Sequence, residues 1–291
     1  MDVELLKTFL EVQQTRHFGR AAENLFITQS AVSARIRQLE DELGVRLFMR
    51  DRNNIQLTTA GQKLLHHAEA IIAGWNRARL DVAISDDVGQ HIAMAAVPNL
   101  WMIFMPEWLQ RVQQQHADIA VSADDLSAEL IIRRVLDRAL DFGFVFEPPR
   151  LPELEIVAVC EFPLILVSSE KGSSLMEALA RNYIYVDWGA DFSHQHARLL
   201  PVPPTPAMRV GLGAGAMQLL LTGTRGSAYL AEPLVRSAVK NRKLFRVEDA
   251  PPVNRRVHAL YRQDTDRLPV IQQLLTMVDR LQSVSHVPEG S

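Results

Sequence analysis

The residues best placed to do chemistry on an external partner are Ser30 and Ser33, which share one side of a helical stretch with Ala34 and Arg37, and Gln29 at its N-terminal turn. On the opposite side Val32, Ile36, Leu39 and Leu43 fall within about 60° of one another at ~100° per residue, a narrow apolar stripe that must face a core. Small residues flanked by hydrogen-bonding ones let a helix lie deep in the major groove of DNA. There a Gln amide can pair with an adenine edge and a Ser hydroxyl with several bases. Charge at the flanks suits phosphates instead. Arg37, Arg50 and Arg52 are the first candidates for that role, and Arg20 and Arg35 the next.

These side chains need a frame, and residues 17–61 supply one. They read as a short helix, a turn (Asn24, Leu25, Phe26, Ile27), a second helix and a β-hairpin, the order of a winged helix-turn-helix. The turn has no Gly. At the hairpin tip Asn53 and Asn54 are expected to form the tight turn, because Asn tolerates positive φ. Thr58 is a natural N-cap for the next helix, and no Pro interrupts residues 60–84. Within that helix Gly61, Ala68, Trp75 and Val82 recur every seven residues, with Leu64, Ile71 and Ala78 at the intermediate spacing. Such a seam can face a second copy of the chain or the chain's own C-terminal domain. About three heptads with two Gly are too short for an isolated coiled coil. Ser85 to Gly89 then reads as a polar hinge.

LLKTFLEV in the first helix, AAENL in the second, TQSAVSARIRQLEDELGVRLF in the third, and LTTAG closing the wing resemble the DNA-binding domain of LysR-type transcriptional regulators. The first domain and WGADFSHQHA look most similar to the subgroup associated with repression of the flagellar master operon. The resemblance implies a homodimer or homotetramer on double-stranded DNA. It also resolves the long helix as a dimerisation helix carrying Leu64, Ala68, Ile71, Trp75, Ala78 and Val82. One departure lies in the wing, which in this family is often basic after a Gly. Here it reads Arg50, Asp51, Arg52, Asn53, Asn54, so fewer phosphate contacts are expected.

Composition sets outer bounds. A length of 291 residues with 47% hydrophobic side chains suits about two domains with ordinary cores. The net charge of -3 divides unevenly: residues 1–80 hold 11 Lys or Arg against 9 Asp or Glu, and the remainder 20 against 25. Bulk electrostatics alone would bind DNA poorly, so two reading heads are needed. Met-Asp-Val-Glu lacks the basic start of a signal peptide, and the apolar stretch from Leu100 to Met105 cannot span a bilayer. Cys160, the single cysteine, reads as a small buried hydrophobe in a strand. A reducing cytoplasm, no membrane and no cofactor are expected.

From His91 onward strand-like and helix-like segments alternate. HIAMAAV, DIAVSADD and DFGFVFE read as strands with helices at 99–115 and 128–140 between them. EIVAVCEF and PLILVSS form an extended pair that crosses to a second set: YIYVDWG, TPAMRVG, a helix at 214–221, SAYLAE and a helix at 233–243. VHALYRQ returns, and a helix at 269–284 ends the chain. The fold class is thus an N-terminal winged helix-turn-helix, mainly α, plus a long linker helix, followed by an α/β two-lobed periplasmic-binding-protein-like effector domain. The expected boundaries are 1–60, 61–88 and 89–291, with the second lobe at roughly 168–262.

In such a fold a small-molecule effector sits between the lobes, at strand ends and helix N-termini. The candidate walls are Asn99, Leu100 and Trp101 after the first strand, Ser127 after the second, and Trp188 in the second lobe. The family often has Ser or Thr after the first strand to hold a carboxylate, so Asn99, Leu100 and Trp101 favour an aromatic or apolar ligand. A domain that only assembles subunits, without a ligand, fits the same segments. An enzyme is the rival class, since Asp187, Asp191, His194 and His196 in DWGADFSHQH invite a metal or hydrolase reading. Ser193 as an N-cap would turn the two His about 200° apart, as solvated side chains near a helix start. No HExxH, GxSxG, P-loop or paired CxxC is present. No metal site and no catalytic residue are therefore assigned.

Overall fold

Asp2 starts the first helix by accepting a hydrogen bond from the Glu4 N–H, and α1 (Val3–Thr15) follows. The computed structural model describes residues 2–51, 54–83, 90–199 and 205–284. Arg52 and Asn53, the hinge at 85–89 and the prolines at 201, 203 and 204 lie outside them.

The chain forms two compact units, 1–85 and 86–291. In the first, α1 is followed by α2 (Phe18–Asn24), α3 (Gln29–Leu43), the hairpin β1 (Phe48–Asp51) and β2 (Asn54–Leu57), and α4 (Thr59–Ala83). Its core joins Leu5, Leu6, Phe9 and Val12 of α1 to Ala21, Ala22, Val32, Ile36, Leu39, Leu47, Phe48 and Ala68. Leu43, expected in the α3 stripe, is exposed, because the helix ends there on the left-handed cap Gly44.

The second unit is built on one curled sheet in the order β4-β3-β5-β11-β6-β9-β7-β8, with β10 also on β6. The first lobe holds β3 (Gln90–Ala96), α5 (Pro98–Trp101), α6 (Met105–Gln115), β4 (Ile119–Asp125), α7 (Ala128–Leu136) and β5 (Phe142–Val145). The long β6 (Leu154–Ser168) carries the chain across to α8 (Leu175–Ala180), β7 (Tyr183–Val186), α9 (Ala190–Leu199), β8 (Met208–Val210), α10 (Gly213–Leu221), β9 (Ser227–Ala231), α11 (Glu232–Lys240) and β10 (Phe245–Arg246). β11 (Val253–Arg262) returns antiparallel to β6, and α12 (Leu268–Val284) ends the described chain. β3 is parallel to β4 and β5, and β7 is parallel to β8 and β9, so each lobe keeps a parallel core. A register shift at Val257/His258 bends the crossing pair between the lobes, as a β-bulge does.

Three expectations from the sequence are corrected. The helix expected at 99–115 is two, because Pro106 stands at the start of a new one, where its missing N–H costs nothing. The pair expected to break at Pro163 is one continuous strand. Pro163 sits just before β9 begins to pair at Leu164, where a missing donor is tolerated as at an edge. Ser193 lies inside α9, its N–H donating to the Gly189 carbonyl, so the helix begins four residues earlier than expected.

Candidate nucleic-acid interface and effector crevice

Helix α3 is set by its ends. Thr28 caps it, its hydroxyl accepting from the Ala31 N–H at 3.2 Å and lying 2.9 Å from the Ser30 hydroxyl. Val32, Ile36 and Leu39 are buried, and this turns Gln29, Ser30 and Arg37 outward and leaves Ser33 half-buried. Among the described residues Gln29 and Arg37 make no internal hydrogen bond or ion pair, which leaves their donors for a partner. Arg20 on α2 is exposed as well. Arg35 differs. Its Nη1 lies 3.3 Å from the Thr8 hydroxyl and 3.7 Å from Glu4 Oε2, so it is turned onto α1 and already engaged. Arg50 lies on β1 opposite Ile55.

Sequence reasoning missed two features of this unit. Glu40, buried on the core side of α3, accepts from the Leu47 N–H at 2.8 Å and from Arg46 Nη1 at 2.8 Å, tying the start of the wing to α3. The signal was available: an acidic residue four positions after Ile36 falls on the core stripe. Phe26 takes φ 55° at the turn between α2 and α3, a conformation that costs a bulky residue energy, and leaves its ring 95% exposed.

The seam expected along α4 divides in two. Ala68 is fully buried in the head's own core and so not open to a partner helix, and Leu64, half-buried, packs against that core. Gly61 makes that approach feasible, since a Cβ there would stand 2.3 Å from the Leu47 carbonyl oxygen. Ile71, Trp75, Ala78 and Val82 are exposed, Trp75 to 49% and Val82 to 86%.

In the second unit most of the expected effector walls hold structural posts. Leu100 and Trp188 are buried core residues, the Trp188 indole donating to the Tyr229 carbonyl at 2.9 Å. Ser127 caps α7, and the Trp101 indole donates to the Asp124 carbonyl at 3.3 Å. Asn99 reaches across to the other lobe. Its amide donates to the Gly211 carbonyl at 3.1 Å, and its Oδ1 accepts from the Gly213 N–H at 2.8 Å.

A cavity of about 490 Å³ is lined by Phe146, Glu147, Glu161, Arg255, Arg256 and His258 among others. The Glu147 carboxylate accepts from the Ala190 N–H at 3.1 Å and the Asp191 N–H at 2.8 Å, at the start of α9. Arg255, buried under both, donates to Glu147 at 3.1 Å and to Asp191 at 3.0 Å. No spacing in the sequence points to this cluster.

The histidines expected to be solvated are also divided. His194 is exposed, whereas His196 is buried among Tyr183, Tyr185, Phe192 and Tyr229, with its Nε2 2.8 Å from the Tyr183 hydroxyl. Burial holds the His196 imidazole below its ordinary pKa. Among the described residues no group of three or more His, Cys, Asp or Glu side chains could hold a metal ion, and no helix is long and apolar enough to cross a membrane.

Comparison with known proteins matches this division. Residues 3–62 fit the family described as bacterial regulatory helix-turn-helix protein, lysR family, and residues 85–282 fit the LysR substrate binding domain. The chain is 40% identical to the HTH-type transcriptional regulator HdfR of Yersinia enterocolitica, over 94% of this chain and 95% of that protein. It is 38% identical, with the same coverage, to the HdfR of Yersinia pestis strain Pestoides F. Its fold is similar to that of the LysR family transcriptional regulator CbnR, with TM-score 0.74 at 21% identity, over 96% of this chain and 99% of that one. CbnR in complex with its target DNA matches with TM-score 0.70 at 22% identity, over the same shares of the two chains.

Proposed function

This chain belongs to the LysR family of bacterial transcription regulators, and on that premise we propose that it binds an interrupted inverted repeat as a homodimer or a dimer of dimers. Gln29, Ser30 and Ser33 read bases, and Arg37, Arg50, Arg52 and Arg20 anchor phosphates. The observation that carries this is the outward face of α3, where Gln29 and Arg37 stand exposed and without partners among the described residues, beside the buried stripe of Val32, Ile36 and Leu39.

Pairing of two heads runs through Ile71, Trp75, Ala78 and Val82. Their exposure on a helix otherwise docked to its own head supports that assignment. The protein works in the cytoplasm, where its DNA is, and it is not an enzyme; the naming of its relatives as transcriptional regulators supports both. The effector domain passes a signal to the heads, and the flagellar master operon is the first target to test, given the resemblance of the first domain. The test is footprinting on genomic fragments captured by the full-length protein. Two protected half-sites with an unprotected interruption are expected, and protection of a single half-site overturns the paired-head arrangement.

A further inference from the structure

Glu147 follows the end of β5 in the first lobe, yet its carboxylate rests on the second. It takes the N–H groups of Ala190 and Asp191, the free donors at the first turn of α9, which is where an anion binds a helix best. The approach needs the glycine before the helix. Gly189 has φ +95°, and a Cβ on it would stand 2.6 Å from Glu147 Oε1 and 3.1 Å from Arg255 Nη2.

Arg255 gives an independent sign that this place is built for an anion. Its side chain is 2% exposed, it donates to both Glu147 and Asp191, and its Nε has no partner among the described residues. A guanidinium buried that deeply is costly unless carboxylates face it. Its central carbon also lies 4.9 Å from the centre of the Phe146 ring, which fixes it from the other side. Asn99 makes a second tie between the lobes, to Gly211 and Gly213.

We propose that the first turn of α9 and the guanidinium of Arg255 form a carboxylate-binding site between the lobes, which this chain fills with its own Glu147. The lobes are thereby held together by an internal anion, with no effector needed for that contact. A carboxylate ligand gains the site only by expelling Glu147. An aromatic or cationic ligand is confined to the cavity beside it, where Glu161 and Phe146 remain. This goes beyond the regulatory reading above and holds whichever DNA the heads recognise.

The test is rescue of the full-length protein with a small carboxylate, using formate and acetate as probes and chloride at equal ionic strength as reference. Glu147→Ala is expected to lower Tm by on the order of 5 °C in chloride, since two charge-assisted bonds to the helix and one to Arg255 are lost. Formate or acetate is expected to raise the Tm of the variant saturably and to leave the native chain unmoved. An unmoved variant, or an equal rise in both proteins, overturns the proposal. Glu147→Gln fills the same volume without the charge and guards against a variant that fails to fold. It is expected to lose several degrees with no rescue by either probe, and a Tm equal to that of the native chain overturns the proposal as well.

Discussion

The head and the effector domain treat their polar side chains in opposite ways. On α3 two groups that can hydrogen-bond, Gln29 and Arg37, face out with no partner among the described residues. Between the lobes the corresponding groups are spent on each other: Asn99 on Gly211 and Gly213, Glu147 on α9, Arg255 on Glu147 and Asp191. The difference teaches how to tell a surface awaiting a partner from a surface that has found one. Donors left in water cost little and stay available, whereas the buried guanidinium of Arg255 is faced by two carboxylates. The head is therefore built for a macromolecule that arrives, and the crevice is built to hold itself together.

The contrast breaks first at the helix that carries the heads. Replacing Ile71 and Trp75 together by polar residues should lower dimer affinity and, through loss of bivalency, reduce operator affinity by roughly 10²–10⁴-fold. Binding to an isolated half-site should change far less. Gel-shift titration on both DNAs, with light scattering at low protein concentration, measures the two effects. A dimer of unchanged mass would remove these residues from the seam. Ala68→Ser is the control, since it disturbs the head's core and not a partner.

Charge on the outward face gives a smaller and different signature. Arg37→Ala should weaken specific and random DNA alike and lower the slope of log K against log salt by about one. Arg35→Ala should leave that slope nearly unchanged and lower head stability instead, because Arg35 is held by Thr8 and Glu4. Equal salt slopes for the two variants would erase the distinction drawn between them.

The smallest expected effect lies in the second lobe. Burial depresses the pKa of His196, so the folded state prefers the neutral ring while the unfolded chain takes a proton near its ordinary value. The stability tied to this group is complete above about pH 6.5 and is lost as pH falls through the depressed folded value. His196→Phe should remove that part of the slope of Tm against pH, although it also gives up the hydrogen bond to Tyr183. An identical slope in the variant would assign the acid sensitivity to other groups.

How far the sequence carried these conclusions depended on the range of the contacts. The stripe of Val32, Ile36 and Leu39 was legible because helical periodicity is local, and α3 begins one residue after its Thr28 cap. The alternation of strands and helices after His91 was legible for the same reason. Breaks at proline were read less well: Pro106 starts a helix and Pro163 lies within a strand, and only the surrounding pairing separates the two cases. The crevice was not legible. Glu147 and Arg255 are 108 residues apart and Asn99 and Gly213 are 114 apart, so the topology alone brings them together. Leu100 and Trp188 stand at strand ends as expected, yet they are buried by the helices packed over those ends. Ala68 misled because one heptad pattern served two partners, the head's core first and the exposed stripe after it.

Whether the open face of α3 reads sequence is tested directly by one comparison. The affinities of Gln29→Ala and the native chain are measured on the footprinted operator, on the operator with each half-site base pair changed in turn, and on random DNA. A loss of about 1 to 3 kcal/mol on the operator, relaxed preference at one base pair and its symmetry mate, and unchanged binding to random DNA are expected. An equal loss on operator and random DNA would contradict this expectation, because Gln29 would then hold the backbone and read nothing.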